Sequence, residues 1–190
     1  MTDSGDRISY ATRVQTAALF VALITAGSFV AIPLPGSPVP IVLQNLFVVL
    51  AGVVLPPAWA ALSAAVYLFL GAAGLPVFAG ATGGIAHFAG PTGGFLLSYP
   101  FVAALTGWVA AGRSPATGDV GLGRLVAAVS LGFLLVYAFG VPWLAWTTGM
   151  SPVAALLVGM VPFLPGDALK AIAIVLLVRS VPPSVWRRFT

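Results

Sequence analysis

The sequence predicts an all-α integral membrane protein: a single membrane domain of six transmembrane helices with both termini cytoplasmic. Three observations predict it. The 190 residues are 60% hydrophobic and only 6% charged, with a mean hydropathy of +1.10, whereas soluble domains carry about 25% charged residues. Residues 14–112 contain no Asp, Glu, Lys or Arg. Every arginine falls in a segment that an even number of spans places on one side.

A helix needs about 20 apolar residues to cross the hydrocarbon core, with a range of about 17–25. Residues 1–13 read as a cytoplasmic tail. Residues 14–32 form the first span; they outrun the roughly 7–15 residues of a signal-peptide core and are read as retained. Pro33, Pro35, Pro38 and Pro40 then break the helix, since proline lacks the N–H a helix interior uses. Residues 41–55 are a short second span, Pro56-Pro57 a tight turn, and residues 58–75 the third span. Residues 76–94 are glycine-rich yet uncharged. Irregular chain of that kind belongs against protein or a cavity at membrane depth. Residues 95–111 are the fourth span. Residues 112–123, with Arg113 and Asp119, are a polar loop, and residues 124–148 the fifth span. Residues 151–164 contain Pro162 and read as a short or broken helix. Pro165-Gly166 precedes the last span, residues 167–178, which runs on toward Val181. Residues 181–190 form the second cytoplasmic tail.

Arg7, Arg13, Arg113, Arg124, Arg179, Arg187 and Arg188 all flank the side carrying the termini. The positive-inside rule makes that side cytoplasmic. The proline loop, the glycine-rich loop and residues 149–166 therefore face outward, where a site would be loaded from outside.

Composition removes several functions. There is no cysteine, hence no disulfide or thiol nucleophile. One histidine and four acids leave little for a metal site. No GxxxxGK[ST] motif occurs, so ATP, if used, is used by a partner. The net charge of +4 is scattered and gives no nucleic-acid footprint.

Asp167 and Lys170, at i and i+3, share a helix face. Charges at membrane depth cost about 2.5–3.5 kcal/mol each on insertion scales. The pair is either a binding site or a neutralised lock on a helix. A helix starting at Asp167 would offer free N–H groups and a partial positive charge, and with Lys170 a seat for a ligand carboxylate. Asp167 suits ligand N–H donors. Gln44 and Asn45 serve either a ligand or hydrogen bonding between helices. Together these groups fit a small molecule with one acidic and one amide- or urea-like end. His87 reads as hydrogen-bonded structure. Phe78, Phe88, Trp143 and Trp146 are pocket walls or interfacial aromatics. Gly83-Gly84 and Gly93-Gly94 allow close backbone approach. Ala18, Ala22 and Ala26 form a small-residue face for another helix, within the chain or in another subunit.

Five segments resemble, in order and spacing, the signature of the BioY family. They are Pro38-Val39-Pro40-Ile41-x-x-Gln44-Asn45-Leu46, Gly74-Leu75-Pro76-Val77-Phe78-Ala79-Gly80, Gly83-Gly84, Gly90-Pro91-Thr92-Gly93-Gly94 and Phe163-Leu164-Pro165-Gly166-Asp167-x-x-Lys170. BioY proteins are biotin-binding substrate-specificity (S) components of energy-coupling factor (ECF) transporters. The resemblance implies a six-helix S-component bundle in the plasma membrane that captures biotin from outside. It implies no catalysis and no cofactor on this chain, but assembly with a transmembrane coupling protein and two ABC ATPases that use ATP. Asp167 and Lys170 match the family's polar ligand contacts, with Asn45, Gln44, Phe78, Gly83, Gly84 and Thr92 completing the implied biotin site. Ala18 and Ala22 match the alanine motif that meets the coupling protein, and Ala26 extends it. Another vitamin as ligand, or an intramembrane enzyme with Asp167 and Lys170 as acid and base, are the alternatives the residues leave open.

Overall fold

The computed structural model describes residues 3–112 and 120–182, with side chains from Tyr10 onward. Its helices are α1 (Asp3–Phe29), α2 (Gln44–Val54), α3 (Pro57–Ala72), α4 (Gly93–Ala110), α5 (Leu122–Thr148), α6 (Pro152–Gly159) and α7 (Leu164–Ser180). Six follow the predicted spans, and α6 falls where a short helix is expected. Tyr10–Phe29, Gly93–Ala110, Leu122–Thr148 and Pro152–Ser180 are each long and apolar enough to cross a bilayer.

The boundaries differ from expectation at three places. The polar N-terminal segment is helical from Asp3. Residues 41–55 do not form one helix. Ile41–Val42 is a strand, β2, paired antiparallel with β1, Ala31–Ile32, so the proline segment closes a hairpin. The remaining α2 has 11 residues; at 1.5 Å per residue it is about 16 Å long, roughly half the hydrocarbon thickness. The last helix begins at Leu164, led in by a 3-10 turn, Val161–Phe163. Pro165 lies in the first turn, where its missing N–H removes no helix bond. Pro165-Gly166 therefore opens the helix instead of interrupting the chain before it.

Helix α2 is the centre of the bundle, packing against α1, α3, α4, α5 and α7. Gln44, Asn45 and every residue from Val48 to Val54 are buried. A helix enclosed all round shows no polar stripe, which explains its unbroken apolar run. Its first residue is drawn in by Gly27 of α1: a Cβ there would lie 2.9 Å from the Gln44 backbone nitrogen. The Leu43 N–H also donates to the Gly27 carbonyl at 3.2 Å.

The ends of α1, α3 and α5 and the starts of α2, α4 and α7 meet at one end of the bundle. The hairpin, the α3–α4 connection and α6 close that end. Ser37 ties the hairpin loop to α6 by donating its hydroxyl to the Val158 carbonyl at 2.8 Å. Arg124, in the first turn of α5, and Arg179, in the last turn of α7, mark the opposite end. The Arg7 side chain and the expected polar features Arg113, Asp119, Arg187 and Arg188 lie outside the described residues.

Helix α4 packs most extensively on α5. A Cβ at Gly94 would fall 2.2 Å from Trp143 Cβ and 2.8 Å from the Phe139 carbonyl. Neither neighbour is the far end of a flexible side chain, so α4 and α5 must separate to admit a methyl group. Gly94→Ala should therefore destabilise the fold by about 1–3 kcal/mol, the usual range for overpacking. Thermal unfolding in detergent checks this; an unchanged midpoint would contradict the close approach.

Candidate functional site

The first two turns of α7 place Asp167 and Lys170 against the first turn of α2. Both are buried, 6% and 7% exposed. Lys170 Nζ donates to Asp167 Oδ1 at 2.8 Å, to Asn45 Oδ1 at 2.9 Å and to the Val42 carbonyl of β2 at 2.7 Å. An ammonium has three N–H donors, and all three are used. Asn45 Nδ2 donates to Asp167 Oδ1 at 3.2 Å. Tyr137 of α5 donates its hydroxyl to Asp167 Oδ2. The Asn45 amide orientation follows from its partners, oxygen toward the ammonium and nitrogen toward the carboxylate.

This leaves a definite remainder. A carboxylate has about four lone-pair sites; Oδ1 uses two and Oδ2 one, so Oδ2 keeps one acceptor position. Asn45 keeps one N–H donor. One free acceptor beside one free donor is a pattern that a cyclic urea edge can meet with its N–H and C=O.

A second network lies alongside. Gln44 Nε2 donates to the Tyr99 hydroxyl at 2.6 Å, and Tyr67 donates to Gln44 Oε1 at 2.9 Å. It joins α2, α3 and α4. Gln44 and Asn45 thus hold helices together and also face a cavity, so both readings of these residues apply.

The cavity has a volume of about 220 Å³. Asp167, Lys170, Asn45, Gln44, Phe78 and Thr92 line it, and His87 joins them. Val39, Phe95, Val136 and Phe163 supply apolar wall. Gly83 and Gly84 do not line it. Gly83 is pressed on α3's exit, where a Cβ would lie 2.2 Å from the Leu75 carbonyl. Gly84 has φ 106° and donates its N–H to the Gly71 carbonyl at 2.7 Å. They shape the connection that carries Phe78 and His87. Phe88, Trp143 and Trp146 line a separate surface groove with Ile85. Trp143 is structural, donating Nε1–H to the Gly90 carbonyl at 3.1 Å.

Sequence reasoning missed Tyr99 and Tyr137, which line the cavity, and Tyr67 behind them. A signal existed: three of the four tyrosines stand deep inside apolar helices, where a hydroxyl needs a partner. The small-residue face of α1 also resolves. Ala18, Ala22 and Ala26 are exposed, while Ala17, Phe20, Ile24, Gly27 and Ser28 are buried. Among the described residues no helix covers this alanine face.

Comparison with known proteins places this geometry. Residues 2–187 match the model of the BioY family. A probable biotin transporter BioY from Pyrococcus horikoshii is 39% identical over 168 residues, covering 88% of this chain and 94% of the relative. A biotin transporter BioY from Rhizobium etli is 43% identical over 169 residues, covering 86% and 89%. A crystal structure of the S-component for biotin from an ECF-type ABC transporter matches with a TM-score of 0.83 and 29% identity, each chain covered in full. With a family model spanning nearly the whole sequence and relatives aligned almost end to end, the chain belongs to the BioY family.

Proposed function

We propose that the chain is the biotin-binding S component of an ECF-type ABC importer, a transport subunit and not an enzyme. The observation that carries this reading is the closed Asp167–Lys170–Asn45–Tyr137 network, with one acceptor and one donor left over at the wall of a small apolar cavity. Biotin has a cyclic urea on an apolar bicycle and a carboxylate at the end of an alkyl chain. The urea would sit on Asp167 Oδ2 and Asn45 Nδ2, and the bicycle against Phe78, Phe95 and Phe163. Family membership and the structural likeness support biotin over another vitamin.

The orientation follows from charge. The arginine-bearing end is taken as cytoplasmic, so the cavity opens toward the outside of the cell membrane. The exposed alanine face of α1 is where a transmembrane coupling protein would dock, bringing two ATPase subunits; ATP is theirs to use. Small residues permit close helix approach without a large apolar driving force.

Three outcomes are expected. Calorimetric titration of the detergent-purified chain with biotin should give one-to-one binding; a folded, monodisperse sample that binds none would remove the named ligand. Asp167→Asn, Lys170→Ala and Tyr137→Phe should each weaken biotin binding by about 1–3 kcal/mol, roughly fivefold to a hundredfold, because each strands a buried partner. Wild-type affinity in all three would place the ligand elsewhere. Ala22→Leu should keep biotin affinity yet abolish co-purification with the coupling protein and ATPases; retained assembly would remove α1 as the docking face.

A further inference from the structure

Lys170 has no free N–H, since the Val42 carbonyl, Asn45 Oδ1 and Asp167 Oδ1 take all three. A ligand carboxylate at that end would have to displace one of them. It would also lie against the Asp167 carboxylate, a like charge. An acidic ligand therefore needs its carboxylate recognised at another wall of the cavity.

Among the described residues lining the cavity, His87 is the one basic side chain besides Lys170. It comes from the α3–α4 connection, on a 3-10 turn, Ile85–Phe88, whereas the Asp167 network is built by α2, α5 and α7. The His87 ring is half-buried and stands edge-on to Phe78, with centroids 5.4 Å apart. Neither ring nitrogen has a hydrogen-bond partner among the described residues. The turn is nonetheless fixed: the His87 N–H donates to the Gly84 carbonyl at 3.2 Å, and Gly84 is tied to Gly71. Thr92 lines the same cavity from the start of α4, and its hydroxyl makes no cap bond to that helix. A neutral or charged imidazole offers an N–H, and a threonine hydroxyl can add a second donor.

We infer that His87, with Thr92, is the carboxylate-recognising end of this site and selects the acid form of the ligand. Lys170 is then a positioning residue that holds Asp167 and Asn45 in register for the opposite end. This deepens the proposed function and rests on the ligand being biotin.

The test is calorimetry with biotin and biotin methyl ester on the wild type, His87→Leu, His87→Gln and Lys170→Met, each checked for monodispersity. The wild type should prefer the acid. His87→Leu should cut the acid-over-ester preference by at least about tenfold, the scale of a hydrogen bond to a charged group. His87→Gln, which keeps an N–H, should retain part of that preference. Lys170→Met should weaken acid and ester by the same factor. An unchanged preference in His87→Leu, or a preference lost in Lys170→Met alone, would overturn the assignment while leaving biotin as ligand. Failure of the wild type to bind either compound would instead remove the biotin reading itself, and this inference with it.

Discussion

A buried ammonium and a buried carboxylate, each more than nine-tenths out of solvent, persist only if every bond they lose from water is remade. The structure is arranged around that requirement. Lys170 reaches the Val42 carbonyl because β2 ends beside it, and β2 is placed there by the hairpin that follows α1. Asn45 reaches both charges because α2 begins against Gly27. Tyr137 reaches Asp167 from α5. Four separate elements thus converge on one ion pair. Removing one partner from such a pair is far more damaging than the net worth of the pair would suggest, so the pair holds the helices in one arrangement as well as facing the cavity.

The same closure decides what the site can bind. A half-used ion pair would attract any charged solute. A saturated one offers only its leftovers, one acceptor and one donor, to a neutral polar edge inside an apolar wall. The connection between α3 and α4 adds Phe78, His87 and Thr92 to the cavity lining. Helix α1 keeps apart from this chemistry. Its buried face supports α2, and its alanine face points away from the bundle.

Much of this was legible in the residues. Asp167 and Lys170 stood out because charges are otherwise absent from the long apolar stretches. Ala18, Ala22 and Ala26 were recognisable as one face by their spacing. The start of α7 was not legible, because a Pro-Gly pair can end a helix or open one, and only the preceding 3-10 turn settles which. The shortening of α2 was hidden for a related reason: Ile41 and Val42 are β-branched and apolar, equally at home in a buried helix or a strand. The resemblance alone puts Gly83 and Gly84 at the ligand; in the structure Gly83 packs on the Leu75 carbonyl and Gly84 bonds the Gly71 carbonyl, so both shape the connection that carries Phe78 and His87. The tyrosines escaped notice because their rings fit apolar spans; their hydroxyls acquire meaning only when α2, α3, α4, α5 and α7 are brought together.

The most direct measurement is a crystal structure of the chain with biotin bound. The urea should contact Asp167 Oδ2 and Asn45 Nδ2 while Lys170 keeps its bonds to the Val42 carbonyl and Asn45. A Lys170 that has left the Val42 carbonyl to grip the biotin carboxylate would contradict the closed network as the seat of ligand recognition.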